Sequence, residues 1–307
     1  MLASANTQGN AASLLQTLQR VEGWAGKQLV AEPLHGGITN QNYRVMVEGH
    51  AYVARVPAQK GDLLGIDREV EAQANRLAAD LGVAPEVVDF IRPEGILITR
   101  FIEGVAVSDA AVHLPDTLTR VAKSLRAVHS AGALPAAFSP FRVVEAYLKT
   151  ANEHGVSSPD WWERAYEAGS SIERTLPQEV PCLCHNDLLN ANFIDDGELI
   201  RIVDWEYAGM GDRFFDLGNF AVNHQLAQEE ELFLLEQYFG AIRPAQVAHL
   251  RLMRIMSDFR EAMWGLVQQG ISQLDFDFKG YCQKHAERML QAAAPDRLRS
   301  LISQVAS

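Results

Sequence analysis

Alternation of apolar and polar positions dominates the first third of the chain. Between residues 28 and 56, the segments QNYRVMV and HAYVARV alternate with a period of two and are separated by Glu48-Gly49, which predicts a small antiparallel sheet with a tight hairpin. The period becomes helical over residues 66 to 82, where Ile66, Val70, Ala74, Leu77 and Leu81 share a face and Gly82 follows as a stop. Two apolar runs, 86 to 91 and 95 to 102, predict further strands. Beyond about Gly104 helical spacing takes over, at roughly 116 to 130, 141 to 174, 213 to 240 and 244 to 306, with a short strand pair set among the helices. The pattern therefore predicts an α+β chain of two lobes: a small antiparallel-sheet N-lobe over 1–98, a hinge at 99–104, and a largely helical C-lobe over 105–307. A cleft between such lobes is the expected place for a ligand.

Composition narrows the class. With 307 residues, 48% of them hydrophobic, the chain can bury a large core. A formal charge of −12 repels a nucleic-acid backbone or an anionic membrane, so neither is expected as a partner. The N-terminal stretch lacks a basic start and an apolar core, and no run of 18 apolar residues occurs, so a soluble cytoplasmic protein is expected. Cys182, Cys184 and Cys282 are too few for a disulfide framework, and Cys-x-Cys alone is poor zinc spacing. They read as buried free thiols, with Cys182 and Cys184 on one face of a short strand.

The chemistry concentrates in HNDLLNANFI, residues 185 to 194, and VDWEYAG, residues 203 to 209. Asn192-Phe193-Ile194 enters a strand, DDGE makes a turn, and LIRIVDW returns to end in Asp204. A hairpin of this kind brings Asp204 back beside Asn192, and an amide with two carboxylates suits a hard cation such as Mg²⁺. Asp187, four intervening residues, Asn192 and a later Asp204 match the arrangement of phosphoryl transfer, in which the first Asp orients the acceptor hydroxyl. A turn whose Asp and Asn serve only their own backbone is the bland alternative, and it fits Asp195 and Asp196.

A kinase also needs a phosphate clamp. In LHGGITNQNYRV, residues 34 to 45, Gly36-Gly37 sits at a turn where backbone amides can approach phosphate oxygens, although a plain hairpin would use the same pair. Neither G-x-x-x-x-G-K-[ST] nor G-x-G-x-x-G occurs. Arg55, a permanent cation in the apolar strand YVARVP, needs a partner if it faces inward, and Glu69 on the next helix is the candidate; an edge-strand Arg facing solvent is the alternative.

These residues resemble the aminoglycoside phosphotransferase and choline/ethanolamine kinase superfamily, over about residues 34 to 290, and its bacterial choline kinase-like branch in particular. GGITNQNYRV is similar to its nucleotide loop, DREVEAQANRLAADLGVAPEV to its N-lobe helix and following strand, and HNDLLNANFI and VDWEYAGMGDRFFDLGNF to its two signature motifs. The resemblance implies a protein-kinase-like bilobal fold and a transfer of the ATP γ-phosphoryl group, with Mg²⁺, to an alcohol. It implies Asp187 as the base, His185 as a catalytic-loop residue that chiefly braces, Asn192 and Asp204 as metal ligands, and Gly36, Gly37, Thr39, Asn40, Asn42, Arg55 and Glu69 on the nucleotide side.

WGLVQQGISQLDFDFKGY, residues 264 to 281, resembles the region in which aromatic rings and acids surround a cationic acceptor, so Tyr207, Trp264, Asp275 and Tyr281 are the expected acceptor residues. Core packing is the competing use for Trp264 and Tyr281. Two positions depart from the choline kinase pattern: Glu261 where a second Trp is expected, and Asn223 where an acid is expected. The expected substrate is a cationic or amino-bearing alcohol, choline or ethanolamine first, with aminoglycosides, thiamine and amino sugars as alternatives. A catalytically silent nucleotide-binding module and a metal-dependent phosphohydrolase are the readings from other classes. The oligomeric state is not fixed by the sequence.

Overall fold

The computed structural model describes residues 13–34, 40–58 and 60–305. Five strands, Leu29–Leu34 (β1), Gln41–Val47 (β2), His50–Val56 (β3), Val87–Ile91 (β4) and Ile96–Arg100 (β5), form one antiparallel sheet in the order β1-β2-β3-β5-β4. Glu48 and Gly49 both take positive φ, 49° and 83°, as a two-residue hairpin matched to the twist of its strands requires. Alternation decides the faces. Tyr43, Val45 and Val47 of β2 and Tyr52 and Ala54 of β3 bury against Leu14, Leu18, Val21 and Trp24, while Asn42 and Arg55, paired across β2 and β3, share the opposite face.

On that opposite face lies the helix Arg68–Asp80 (α1), whose Ala72 packs with Phe90 and Leu97. Asp67 caps it by accepting from the amides of Glu69 and Val70, at 2.9 and 3.3 Å. Such a cap is worth about 1 kcal/mol and fixes where the helical turn begins.

The remainder is helical: Pro115–Val128 (α2), Pro140–Glu153 (α3), Trp162–Thr175 (α4), Arg213–Asn223 (α5), Gln228–Phe239 (α6), Pro244–Ile271 (α7), Phe278–Ala292 (α8) and Pro295–Val305 (α9). Three of the stretches expected as continuous periodicities are thus divided. Gly155, at φ 79°, and the Ser-Ser-Pro that follows separate α3 from α4; residues 224–227, with Gln225 at φ 52°, separate α5 from α6; and 272–277, opening on Ser272, and 293–294, ahead of Pro295, divide the last stretch.

α7 runs through the middle of the helical lobe, with Phe259 and Met263 buried in the main core. Gly218 of α5 lets that helix press against it; a Cβ there would stand 2.8 Å from the backbone nitrogen of Arg254. Phe215 and Phe220 of α5 are wholly buried, each stabilising the core by roughly 1.5–3 kcal/mol.

Short strands complete the frame: Val105–Ala106 (β6), Cys182–Cys184 (β7), Phe193–Asp195 (β8), Ile200–Ile202 (β9) and Gly209–Gly211 (β10), in the orders β6-β8-β9 and β10-β7. The two-lobed α+β architecture is the one the sequence pattern predicts. Among the described residues no helix is long and apolar enough to cross a membrane.

Candidate active site

Phe193 pairs with Ile202 in the β8–β9 hairpin, and the amide of Val203 donates to Asn192 O at 3.0 Å, so Asp204 emerges beside Asn192 as the ribbon geometry requires. The loop 185–192 between β7 and β8 is held from below by α5. Asp216, wholly buried, accepts from the amides of His185 and Asn186 at 2.8 and 2.7 Å, and Asn219 accepts from that of Leu188 at 2.6 Å. Asn186 and Asp204 both stand at positive φ, 67° and 68°, a conformation a non-glycine residue keeps only where its surroundings enforce it.

His185 has no solvent exposure. Its Nε2 lies 2.9 Å from Val203 O, so that nitrogen carries the proton and donates, while Nδ1 accepts from the amide of Asp187 at 3.2 Å. Burial lowers its pKa, with Asp216 opposing, which keeps the ring neutral. Both nitrogens are committed to backbone, an arrangement suited to the bracing expected of His185.

Asp187 lies in the same loop, two residues after His185. Burial pushes its carboxyl up to about 7, against the pull of Arg260, whose NH1 lies 3.2 Å from Oδ1. Asn192 donates Nδ2 to Asp187 O at 2.8 Å, which leaves its Oδ1 as the atom able to meet a cation. Asp204 is likewise pushed up to about 7 by burial, with Arg55 opposing. Arg55 NH2 lies 2.6 Å from Asp204 Oδ1, yet that oxygen has no hydrogen-bond donor in line; the contact is an ion pair of poor alignment. A buried oxygen in that condition, next to an amide oxygen, is a donor set suited to a hard divalent cation.

Arg55 is the hub on the N-lobe side. It meets Glu71 at 2.5 Å and Glu206 at 3.0 Å as well as Asp204, and these three carboxylates outweigh burial and raise its pKa. The expected partner Glu69 is not among them: it pairs with Arg92 at the surface. Residues two apart on a helix diverge by roughly 200°, and the Asp67 cap sets the turn that aims Glu71 inward. Arg68 reinforces the cluster, meeting Glu71 at 2.7 Å and Glu206 at 3.1 Å. Asn40 joins it by donating to Glu206 at 2.9 Å and accepting from the amide of Ala58 at 3.2 Å. Asn42 lies on the Arg55 face of the sheet, while Gly36, Gly37 and Thr39 fall outside the described residues.

On the C-lobe side three of the four expected acceptor residues meet. Trp264 donates Nε1 to the Tyr207 hydroxyl at 3.2 Å, its ring stands 5.4 Å edge-on from that of Tyr281, and Tyr281 donates to Glu261 at 2.5 Å. Asp275 does not join them. α7 ends at Ile271, and the link to α8 carries Asp275 outward into solvent, where Asp277 instead caps α8 by accepting from the amide of Gly280 at 2.8 Å. Arg260 completes the cluster: its guanidinium lies 4.3 Å over the Tyr207 ring and pairs with Glu261.

A cavity of about 850 Å³ opens between sheet and helices, lined in part by Gln41, Lys60, Arg68, Glu206 and Gln268, and meets the charged cluster through Arg68 and Glu206. A smaller one of about 270 Å³ is bordered by Tyr147, Glu206 and Tyr207.

Residues 30–252 match the phosphotransferase enzyme family known as APH, and the chain belongs to that family. Among curated relatives, it is 28% identical over 292 residues to ethanolamine kinase 2 of Homo sapiens, covering 84% of this chain and 74% of that one. It is 26% identical over 264 residues to protein LicA of Haemophilus influenzae, covering 82% and 76%. Among solved structures, a choline/ethanolamine kinase family protein from Mesorhizobium loti superimposes with a TM-score of 0.82 at 29% identity, over 96% of this chain and 98% of that one. Choline kinase LicA from Streptococcus pneumoniae, at 23% identity and a TM-score of 0.77 over 92% and 99%, has the same fold. The chain is a small-molecule kinase, a phosphotransferase acting on an alcohol.

Proposed function

We propose that this kinase uses ATP and Mg²⁺ to phosphorylate the hydroxyl of a small primary amino alcohol, of which ethanolamine is the type, with the cleft closing about residues 99–104. The observation that carries the reading is the convergence of Asp187, Asn192 and Asp204 at one end of the β8–β9 ribbon, with Arg55 opposite. Asn192 and Asp204 would hold Mg²⁺, which when bound neutralises charge on the nucleotide phosphates.

The chain's own residues do the rest. Arg55, aimed by Glu71 and Glu206, offers a fixed cation to phosphate oxygens. Asp187 orients the acceptor hydroxyl and takes its proton, a role suited to a carboxyl raised to about 7 by burial. His185, Asp216 and Asn219 hold the loop so that this carboxyl is placed before the acceptor arrives.

Two features favour a primary amine over a quaternary one. A quaternary ammonium binds through ring faces, and the Tyr207 face is occupied by Arg260. Glu261, placed where a second aromatic would extend the cage, is a carboxylate held by Arg260 and Tyr281, so that position gives a quaternary nitrogen no ring face. The human relative's name, ethanolamine kinase 2, points the same way. The test is coupled ADP release with ethanolamine, choline, aminoglycosides, thiamine and amino sugars. Turnover strongest with ethanolamine supports the reading; ATP turnover indifferent to every alcohol would make the protein a phosphohydrolase and overturn it.

A further inference from the structure

Beneath the catalytic loop lies a cluster that phosphoryl transfer does not use. Cys182 and Cys184, both on β7, point to one side of their strand with sulfurs 3.8 Å apart, and all three cysteines of the chain are free thiols. His129, at the end of α2, closes the group: one ligand atom from each of His129, Cys182 and Cys184 lies within 4.8 Å of the others. Two thiolates bound to one tetrahedral zinc at about 2.3 Å stand about 3.8 Å apart, which is the separation the strand already imposes.

We propose that Cys182, Cys184 and His129 form a site for a thiophilic divalent ion of the zinc class. The Cys-x-Cys spacing alone does not make such a site; the strand gives the two sulfurs and the fold brings the imidazole from 53 residues away in sequence, the difference between positions 129 and 182.

The imidazole is set up for it. His129 Nε2 lies 3.1 Å from Asp216 Oδ2, and because a carboxylate only accepts, Nε2 carries the proton. Nδ1 is then the nitrogen with a lone pair, and it meets the Tyr238 hydroxyl at 2.7 Å. A ligating histidine with its other nitrogen on a carboxylate is the usual arrangement around zinc. The ion takes Nδ1 once the Tyr238 hydroxyl oxygen, 2.7 Å from it, draws back, while Asp216 keeps its hold on both His129 and the amides of His185 and Asn186.

Both thiols ionise as the ion binds, because the ion itself stabilises the thiolates. Binding releases the two thiol protons to solvent and moves no electrons. The ion would tie β7 to α2 directly under the loop that carries Asp187.

The test is a Co²⁺ titration of the full-length, reduced, chelator-treated protein in excess Mg²⁺. One equivalent is expected to give a near-ultraviolet sulfur-to-cobalt band and tetrahedral visible bands, both displaced by Zn²⁺. Cys182→Ser/Cys184→Ser abolishes the near-ultraviolet band, and the milder single Cys182→Ser halves it. His129→Ala weakens binding by at least about tenfold. Zinc also raises the melting temperature of the wild type and leaves that of the double variant unchanged. Cobalt that binds without the sulfur band, as it would at Asn192 and Asp204, overturns the proposal, and so does a band that survives loss of both cysteines.

Discussion

The guanidinium of Arg260 lies 3.2 Å from the carboxylate of Asp187, so the proposed base is held beside a permanent cation drawn from the central helix of the lobe. Burial raises Asp187 and Arg260 restrains the rise to about 7. Replacing Arg260 with Met removes the restraint. The acid limb of kcat/KM, expected near pH 7 in the wild type, moves to higher pH in Arg260→Met and returns toward it in Arg260→Lys. A pH–rate profile of the three proteins checks this, and an unmoved limb separates Arg260 from the ionisation of the base.

Glu71 and Glu69 make a paired comparison. Glu71→Gln removes one buried charge-assisted partner of Arg55, at a cost of roughly 1.5–3 kcal/mol, and raises KM for ATP several-fold because Arg55 is no longer aimed. Glu69→Gln, at a residue paired with Arg92 on the surface, leaves KM for ATP and the melting temperature unchanged. Steady-state kinetics and thermal melts on both variants decide the matter; the opposite order would restore Glu69 as the partner.

Asp216→Ala tests the support beneath the loop. It deprives the amides of His185 and Asn186 of their acceptor, so kcat is expected to fall by about 10²-fold with ATP affinity little altered. Calorimetric titration with an ATP analogue beside turnover measurements separates the two effects. A loss of nucleotide affinity with kcat intact would contradict the assigned role.

Local chemistry was readable before the fold was, and the limits were physical. The β2–β3 hairpin follows from Glu48-Gly49 and its flanking alternation, and the meeting of Asn192 with Asp204 follows from the ribbon between them. Arg55 could be read as needing a partner, but the choice between Glu69 and Glu71 depends on a helical phase set by the Asp67 cap, which spacing alone does not reveal. Arg68, Glu206, Asp216 and Arg260 were missed because each is made functional by contacts distant in sequence; Arg260 meets Asp187 across 73 positions. The signal present was charge inside apolar stretches, in FFDLGNF and SDFREAMW, and a buried charge in such a stretch requires a partner. Asp275 shows the reverse error: a plausible acid near aromatic residues, carried outward by the end of α7.

Asp187 and Asp204 also link stability to pH. Both carboxyls are raised to about 7 by burial, well above the ordinary carboxylate range, so the stability tied to their protonated forms is complete below about pH 4 and is lost as pH rises through 7. In the proposed site the ionised form of Asp204 holds Mg²⁺-ATP, so stabilisation by that ligand is expected to be larger at pH 8 than at pH 5.5. Thermal melts with and without Mg²⁺-ATP at the two pH values check the sign, and an equal shift at both would contradict it.

The decisive assay is ADP release with ethanolamine as acceptor, run on the wild type and on Asp187→Asn at saturating Mg²⁺-ATP. Ethanolamine-dependent turnover in the wild type, reduced by about 10²–10⁴-fold in the variant while ATP still binds, is the expected result. Turnover by Asp187→Asn at close to the wild-type rate would contradict the role given to Asp187 and, with it, the mechanism built on that carboxylate.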